Sequence, residues 1–304
     1  MEVSQARAFL AVAEELHFGR AAARLHMAQP PLSRLILRLE AEVGARLFDR
    51  NTRAVSLTHL GAALVEPARE LVLQSERMSE VVRRSVAGET GRLRLGFAGS
   101  SVIHLVGPIA RAVRVERPGI RLELVSSQFS QAGLEQVVDG SLDLLVGRWD
   151  FLPARVESLL LEAESLVVAL PTFHTLARAA RLDASALRDE TWIPLQSASG
   201  GILSNRLNLL GASAGFVPRT GPVAPDSATQ LMLVGAGAGV ALTFTTVAEN
   251  VPSTGVLYRE PTPAQPGVEV RLIWRRGEGN PALTEAVRVI RAAFGPGPDS
   301  PGTE

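Results

Sequence analysis

Two adjacent prolines, Pro30 and Pro31, stand in the middle of "RAAARLHMAQPPLSRLILRLEAEVG", a stretch from Arg20 to Gly44 otherwise made of good helix formers. Proline in a helix interior lacks an N–H and clashes with the preceding turn, at a cost of about 3 kcal/mol. At a helix start the missing N–H has no partner to lose. The pair therefore divides the stretch. A short helix covers residues 20–26, "MAQ" is a tight link, and a longer helix opens at Pro31. Leu32, Leu35, Ile36, Leu39 and Val43 give that helix one apolar stripe, and Gly44 stops it. Upstream, Phe9, Val12, Ala13 and Leu16 recur at helical spacing over residues 5–16.

A short helix, a tight turn and a longer helix make a helix-turn-helix, whose second helix enters the DNA major groove by its N-terminal end. The outward residues there are Gln29, Ser33, Arg34 and Arg38. Gln pairs with adenine, Arg with guanine, and Ser with a base or a phosphate. The same side chains would also suit an ordinary solvated helix face. Next, "LFDRNTRAVSL" (residues 47–57) has two short extended runs around Asn51 and Thr52, a hairpin pattern, with Arg50 and Arg53 beside the turn. A basic hairpin after such a helix is a wing, placed to meet the DNA backbone or minor groove. Thr58 can cap a further helix that runs to about Ala87, with Leu64, Leu71, Met78 and Val82 as its apolar positions and a local kink or loosened turn expected at Pro67. So long a helix, with little of its own chain to cover, pairs with a second copy. Residues 1–57 hold eight arginines against six acids, an excess of only two, but five of those arginines fall between Arg34 and Arg53. The chain has no lysine, a bias we attribute to base composition.

After the small-residue hinge "SVAGETG" (residues 85–91), strands and helices alternate, which is an α/β pattern. "RLRLGFA", "PGIRLELV" and "LDLLVG" read as strands, with helices at 102–116 and 134–138. From Ser165 the pattern repeats. "SLVVALP", "TWIPL" and "GVALT" are strands, and helices fall near 185–187, 202–210, 228–235 and Val247. "VEVRLIW" and a helix over Pro281–Phe294 end the pattern, and residues 295–304 ("GPGPDSPGTE") read as a disordered tail. Two α/β lobes imply a cleft, with ligands beyond the carboxyl ends of the strands. Ser100 and Ser101 follow the first strand, Gln128, Phe129 and Ser130 the second, and Arg148 ends the third. The facing loop is "SASGG", including Ser199 and Gly200. Each of these could equally be an ordinary turn or cap residue.

Other classes fit poorly. No apolar run approaches the ~18 residues of a membrane span. The N-terminus has no secretory pattern, so a cytoplasmic protein is expected. There is no cysteine, and His17, His26, His59, His104 and His174 show no ligand spacing, so neither a metal nor another cofactor is expected. "GAGAG" (residues 235–239) precedes a strand, whereas a dinucleotide fingerprint follows one. "SASGG" is not a nucleophile elbow. An enzyme is therefore disfavoured, as is a two-lobed binding protein without a DNA role.

Residues 1–88 resemble the DNA-binding end of a LysR-type transcriptional regulator, through "AFLAVAEELHFGRAAARLHMAQPPLSR", "EVGARLFDR" and "LTHLG". The rest is similar to the family's effector domain, of periplasmic-binding-protein type, through "PGIRLEL", "DGSLDLLVGR", "LPTFHTLA", "AGFVPR" and "LVGAGAGVAL". The resemblance implies an α + α/β fold. It has a winged helix-turn-helix at 1–58, a linker dimerisation helix at 59–88 and a two-lobed effector domain at 89–294, with lobe I about 92–161 and 266–294 and lobe II about 162–265. It implies operator contacts from Gln29, Pro30, Pro31, Ser33, Arg34 and Arg38, and wing contacts from Arg50 and Arg53. It also implies a dimer or tetramer, double-stranded promoter DNA and RNA polymerase as partners, and a small-molecule effector. Arg148 matches an arginine that binds aromatic-derived carboxylates in some relatives, so a small organic acid is expected. Three departures stand out. Leu35 and Leu37 replace a polar and a basic residue, so that either base reading is narrower or these leucines pack on a neighbour. Gly19 replaces the usual Ser or Thr cap of the second helix, and Thr175 replaces a proline.

Overall fold

The computed structural model describes residues 1–50, 55–126, 130–179, 181–196 and 201–295. It separates into two compact units, Met1–Arg84 and Ser85–Glu304.

The first unit contains α1 (Val3–Glu15), α2 (Phe18–Arg24), α3 (Gln29–Val43), a hairpin of β1 (Phe48–Arg50) with β2 (Val55–Leu57), and most of α4 (His59–Val86). Each helix start has a local cause. At α1 the Gln5 side chain accepts from the Glu2 N–H, half of a capping box. The cap of α2 is not at Gly19 but two residues earlier. The His17 Nδ1 accepts from the Gly19 and Arg20 N–H groups at 3.0 and 3.2 Å. A Cβ on Gly19 would stand 2.9 Å from the His17 ring, so glycine leaves the cap its room. Helix α3 begins at Gln29, ahead of the expected Pro31, with Ala28 as its cap. Both prolines therefore lie in the first turn, where an N–H has no intrahelical acceptor. Thr58 caps the next helix as expected, its Oγ1 accepting from Gly61 N–H at 2.9 Å, and α4 runs unbroken through Pro67.

The core of this unit joins Phe9 and Val12 of α1, Phe18 of α2, Leu32, Ile36 and Leu39 of α3, Phe48 of β1 and Ala68 of α4. Phe48 meets the Phe9 and Phe18 rings at 5.5 and 6.0 Å between centroids. Behind it lies a buried acid. Glu40, on the inner face of α3, accepts from the Leu47 and Phe48 N–H groups at 2.9 and 3.2 Å and from Arg50 Nη2 at 2.9 Å. One carboxylate thereby fixes the start of the hairpin to α3.

Among the described residues, the second unit has two sheets of more than two strands. Along the chain come β3 (Gly91–Phe97), a 3₁₀ turn (Gly99–Val102), α5 (Ile103–Glu116), β4 (Ile120–Val125), α6 (Ser130–Asp139), β5 (Leu144–Arg148) and β6 (Val156–Glu164). The chain then crosses to β7 (Leu166–Pro171) and the short strands β8 (Leu182–Asp183) and β9 (Thr191–Trp192). Helix α7 (Ile202–Ser213), β10 (Arg219–Thr220), α8 (Ser227–Gly235), β11 (Ala241–Phe244), α9 (Thr245–Asn250), β12 (Val256–Arg259) and β13 (Pro261–Thr262) follow. The chain returns as β14 (Val268–Arg275) and closes with α10 (Pro281–Phe294). The first sheet has the order β4-β3-β5-β14-β6, and the second β11-β7-β12. Leu93, Leu95, Leu144, Val146 and Leu272 pack on Ile109 of α5 and on Ala286 and Ile290 of α10. Leu145 and Ile273 pack on the other side, with Leu134 and Val137 of α6. The second lobe buries Trp192, Leu210, Leu231, Val168 and Leu242 in its own core.

Several expected elements differ. "TWIPL" contributes only two strand residues, paired with β10, and residues 185–187 belong to a 3₁₀ turn (Ala184–Leu187). Strands β6 and β12 were not expected; β6 is nine residues long, with a burial pattern that follows no clean alternation. "GAGAG" is a helix-to-strand turn between α8 and β11, with Gly237 at φ 80° and Gly239 at φ 154°. The Asn51–Thr52 turn and the tail from 296 onward lie outside the described residues.

Removing the buried Glu40 carboxylate strands two backbone donors and a guanidinium, so Glu40→Ala should destabilise the first unit by about 3 kcal/mol. Amide exchange at Leu47 and Phe48 measures this: protection is expected to fall by about two orders of magnitude, and unchanged protection would refute the role.

Candidate functional site

Two surfaces gather the candidate residues. The first is the outward face of α3. Its buried positions are Leu32, Ile36, Leu39 and Glu40, so the helix turns the opposite side to solvent. On that side Gln29, Pro30, Arg34 and Arg38 are exposed, and Pro31 and Ser33 are half-buried. Neither Arg34 nor Arg38 has an acidic partner among the described residues, unlike Arg20 and Arg24 of α2, which pair with Glu15 and Glu14. These two cations, about one and a half and two and a half turns into α3, suit phosphate oxygens and guanine edges. Arg50 is held differently. Its guanidinium bonds Glu40 and lies 4.7 Å from the centre of the Phe18 ring, which anchors the hairpin. Arg53 lies outside the described residues.

The two unusual leucines part company here. Leu35 is half-buried and packs against the core of the first unit. Leu37 is 54 % exposed on the outward face.

The second surface is a cleft of about 710 Å³ in the second unit. One wall comes from the 3₁₀ turn after β3, the start of α6 and the end of β5; the other from the starts of α7 and α8 and the end of β11. Ser100, Ser101 and Arg148 all line it. Ser130 opens α6; Gln128, Phe129, Ser199 and Gly200 lie outside the described residues.

Arg148 is only 4 % exposed and is held on several sides. Its Nε and Nη2 bond the two carboxylate oxygens of Glu164, the Nη2 at 3.2 Å. Nη1 donates to Ser101 Oγ at 3.3 Å, and Nη2 to Ser101 O and Thr246 Oγ1, both at 3.2 Å. The Phe244 ring centre lies 4.1 Å from the guanidinium carbon, and Thr246 also donates to Glu164. The arginine read from the sequence as a carboxylate partner thus reaches the cleft wall with its charge already balanced. Ser101 is tied up as well, its hydroxyl donating to Ala98 O at 2.9 Å.

Sequence reading did not anticipate Glu164, Thr246 or Phe244, which are remote in the chain from Arg148. It also passed over a second ion pair at the cleft. Asp150, following β5, accepts from Arg206 Nη2 on α7 at 2.8 Å. Asp226 carried a legible signal, an Asp just before an apolar helix; it lines the cleft and caps α8, accepting from Thr229 N–H at 2.9 Å. The start of α7, at Gly201, has no side-chain cap. Among the described residues no cluster of three or more His, Asp or Glu is placed to hold a metal ion. No helix among them is long and apolar enough to cross a membrane.

Two family models together match most of the chain. Residues 3–62 match the family model "Bacterial regulatory helix-turn-helix protein, lysR family", and residues 87–295 match "LysR substrate binding domain". The chain is 34% identical to the HTH-type transcriptional regulator ShiR of Corynebacterium glutamicum (strain R), over 97% of this chain and 100% of ShiR. It is 31% identical to the HTH-type transcriptional regulator AlsR of Bacillus subtilis (strain 168), over 95% of each. Among solved structures, full-length CbnR in complex with its target DNA aligns with a TM-score of 0.75 at 24% identity, over 97% of this chain and 100% of CbnR. That last likeness concerns the fold.

Stranding a buried carboxylate costs about 3–5 kcal/mol, whereas replacing both charges by apolar groups of similar volume is close to neutral. Arg148→Ala should therefore destabilise the second unit by that amount, and Arg148→Met combined with Glu164→Leu by much less. All three tryptophans, Trp149, Trp192 and Trp274, lie in the second unit, so urea unfolding followed by their fluorescence reads the difference. Equal losses in the two variants would count against the pair.

Proposed function

The chain belongs to the LysR family of bacterial transcriptional regulators, and on that premise we propose that α3 reads operator DNA while the cleft binds a small organic acid that modulates promoter binding or activation. The observation that carries the first half is the outward face of α3. Arg34 and Arg38 stand exposed there with no acidic partner among the described residues, on a helix whose other face is locked into the core. Gln29, Pro30, Pro31 and Ser33 form the first turns that enter the major groove. Arg50 fixes the hairpin, and a wing contact from Arg53 to the DNA belongs to the same proposal.

The helix α4 supports a homodimer. Its Met78, Val81 and Val82 are exposed, an apolar stripe that a second copy would cover. Pairs of such dimers would form the tetramer, and contact with RNA polymerase would follow at promoters in the cytoplasm. In the cleft, the effector carboxylate would meet backbone N–H groups at the uncapped start of α7 and hydroxyls such as Ser100. Arg148 would face the ligand as one half of a pair with Glu164. A ligand alters the lobe arrangement only through its differential affinity for two arrangements, and so changes the spacing of the two α3 helices on DNA.

Two measurements test this. Arg34→Ala should weaken binding to the protein's own promoter region by about 1–3 kcal/mol in a gel shift and relax preference at one base pair. If Arg34 meets only phosphate, affinity falls evenly across sequences and the salt slope drops by about one unit. Equal binding by variant and wild type would refute both. Separately, calorimetry with a panel of small aromatic and aliphatic acids and their amides should find heat only with the acids. Binding confined to neutral or cationic compounds would overturn the assignment of the effector class.

A further inference from the structure

The outward face of α3 carries one side chain that none of the polar contacts uses. Leu37 follows Ser33 by four residues and Arg34 by three, the spacings at which helix side chains are neighbours. Arg38 adjoins it. A lone exposed leucine is ordinary elsewhere on a protein surface. This one stands within a basic face, two helical turns on from Pro30. It does not serve the core, which is filled from this helix by Leu32, Ile36 and Leu39, with Leu35 at the edge.

Leucine cannot hydrogen-bond a base edge. The apolar group that the major groove presents is the C5-methyl of thymine. Guanine and cytosine would instead place polar edge atoms against an alkyl side chain and leave them without partners, at a cost. We infer that Leu37 is a base-reading residue that packs on a thymine methyl and selects a T·A pair at one operator position. The inference rests on the reading above that α3 lies in the major groove. The selection works from both sides: the methyl and the leucine leave water together, and the competing base pairs lose hydrogen bonds to water that Leu37 does not replace.

The test uses the full-length protein and duplexes that it selects from a randomised pool. Each dT of the selected half-site is replaced in turn by dU, which removes the methyl and keeps the pairing. Wild type should lose about fourfold in affinity at one position, the factor for one methyl-sized apolar group. Leu37→Ala should lose a similar factor on the unmodified duplex and become indifferent to dU at that position alone. Leu37→Met should keep the sensitivity. No dU effect in wild type, or the same dU effect in Leu37→Ala, overturns the inference. So does a change in the oligomeric mass of Leu37→Ala without DNA, which would assign the face to a protein contact. Arg34→Ala on the same duplexes separates the two readings. If it binds as well as wild type, α3 is not in the groove and both fall. If it binds weakly while Leu37→Ala still senses the methyl, only the role of Leu37 falls.

Discussion

A buried arginine must find its counter-charge inside the fold, and in the second unit Glu164 supplies it to Arg148. The side chain of Glu164 has no exposed area, and desolvating two such groups is costly unless the geometry and the remaining hydrogen bonds are good. The partners come from separated parts of the chain. Arg148 ends β5 and Glu164 ends β6; β14 runs between them, with Val270 opposite Arg148 and Val268 opposite Glu164. Thr246 belongs to α9 and Phe244 to β11, both in the second lobe, while Ser101 comes from the turn after β3. The pair can therefore form only when the β5-β14-β6 order exists, and its further partners Thr246 and Phe244 are in place only when the second lobe has docked on the first. Since Arg148 and Phe244 are also cleft wall, the same requirement shapes the cleft.

The first unit solves a similar problem with less. Glu40 lies on the inner face of α3 and gathers two backbone N–H groups and Arg50. The helix that turns Arg34, Leu37 and Arg38 outward thus carries on its other side the anchor of the hairpin. A base-reading side chain is useful only if its helix is held rigidly, and the Phe9, Phe18 and Phe48 cluster with the Glu40 bonds supplies that rigidity.

Features written locally were legible in the sequence. The proline pair marked a helix start because it has only one comfortable place in a helix. Thr58 announced α4, and the strands β3, β5 and β14 showed as apolar runs. What escaped needed partners remote in the chain. Strand β6 carries three glutamates within nine residues and was not read as a strand, yet it completes a sheet edge beside β14. The His17 cap escaped because histidine is not a usual cap, although Gly19 held the clue as a residue whose missing side chain makes space. Arg148 was found by position, but its pairing with Glu164 and Thr246 was invisible, since nothing local in either segment names the other. Leu35 already stood in the apolar stripe of the sequence and Leu37 outside it, and burial agrees, with Leu35 at the edge of the core and Leu37 exposed.

The cleft's charges bear on what an effector can do. Arg148 is balanced by Glu164, and Asp150 by Arg206, while Asp226 serves the start of α8. These groups sum to one negative charge, that of Asp226, offset only by the N-terminal dipole of α8 that it caps, so a ligand carboxylate entering here finds no free cation among them. Its charge must be met by dipoles, the backbone N–H groups and hydroxyls at helix starts, which are fixed in direction and strong only at short range. Binding by dipoles depends steeply on geometry, so it discriminates between lobe arrangements better than a long flexible cation would. The Asp150–Arg206 bond connects the segment after β5 to α7, and any movement between these elements must break or carry it. A ligand that tightens α7 against the first lobe keeps that bond; one that spreads them loses it. The difference in the ligand's binding free energy between those two arrangements is the largest shift that it can impose on their equilibrium.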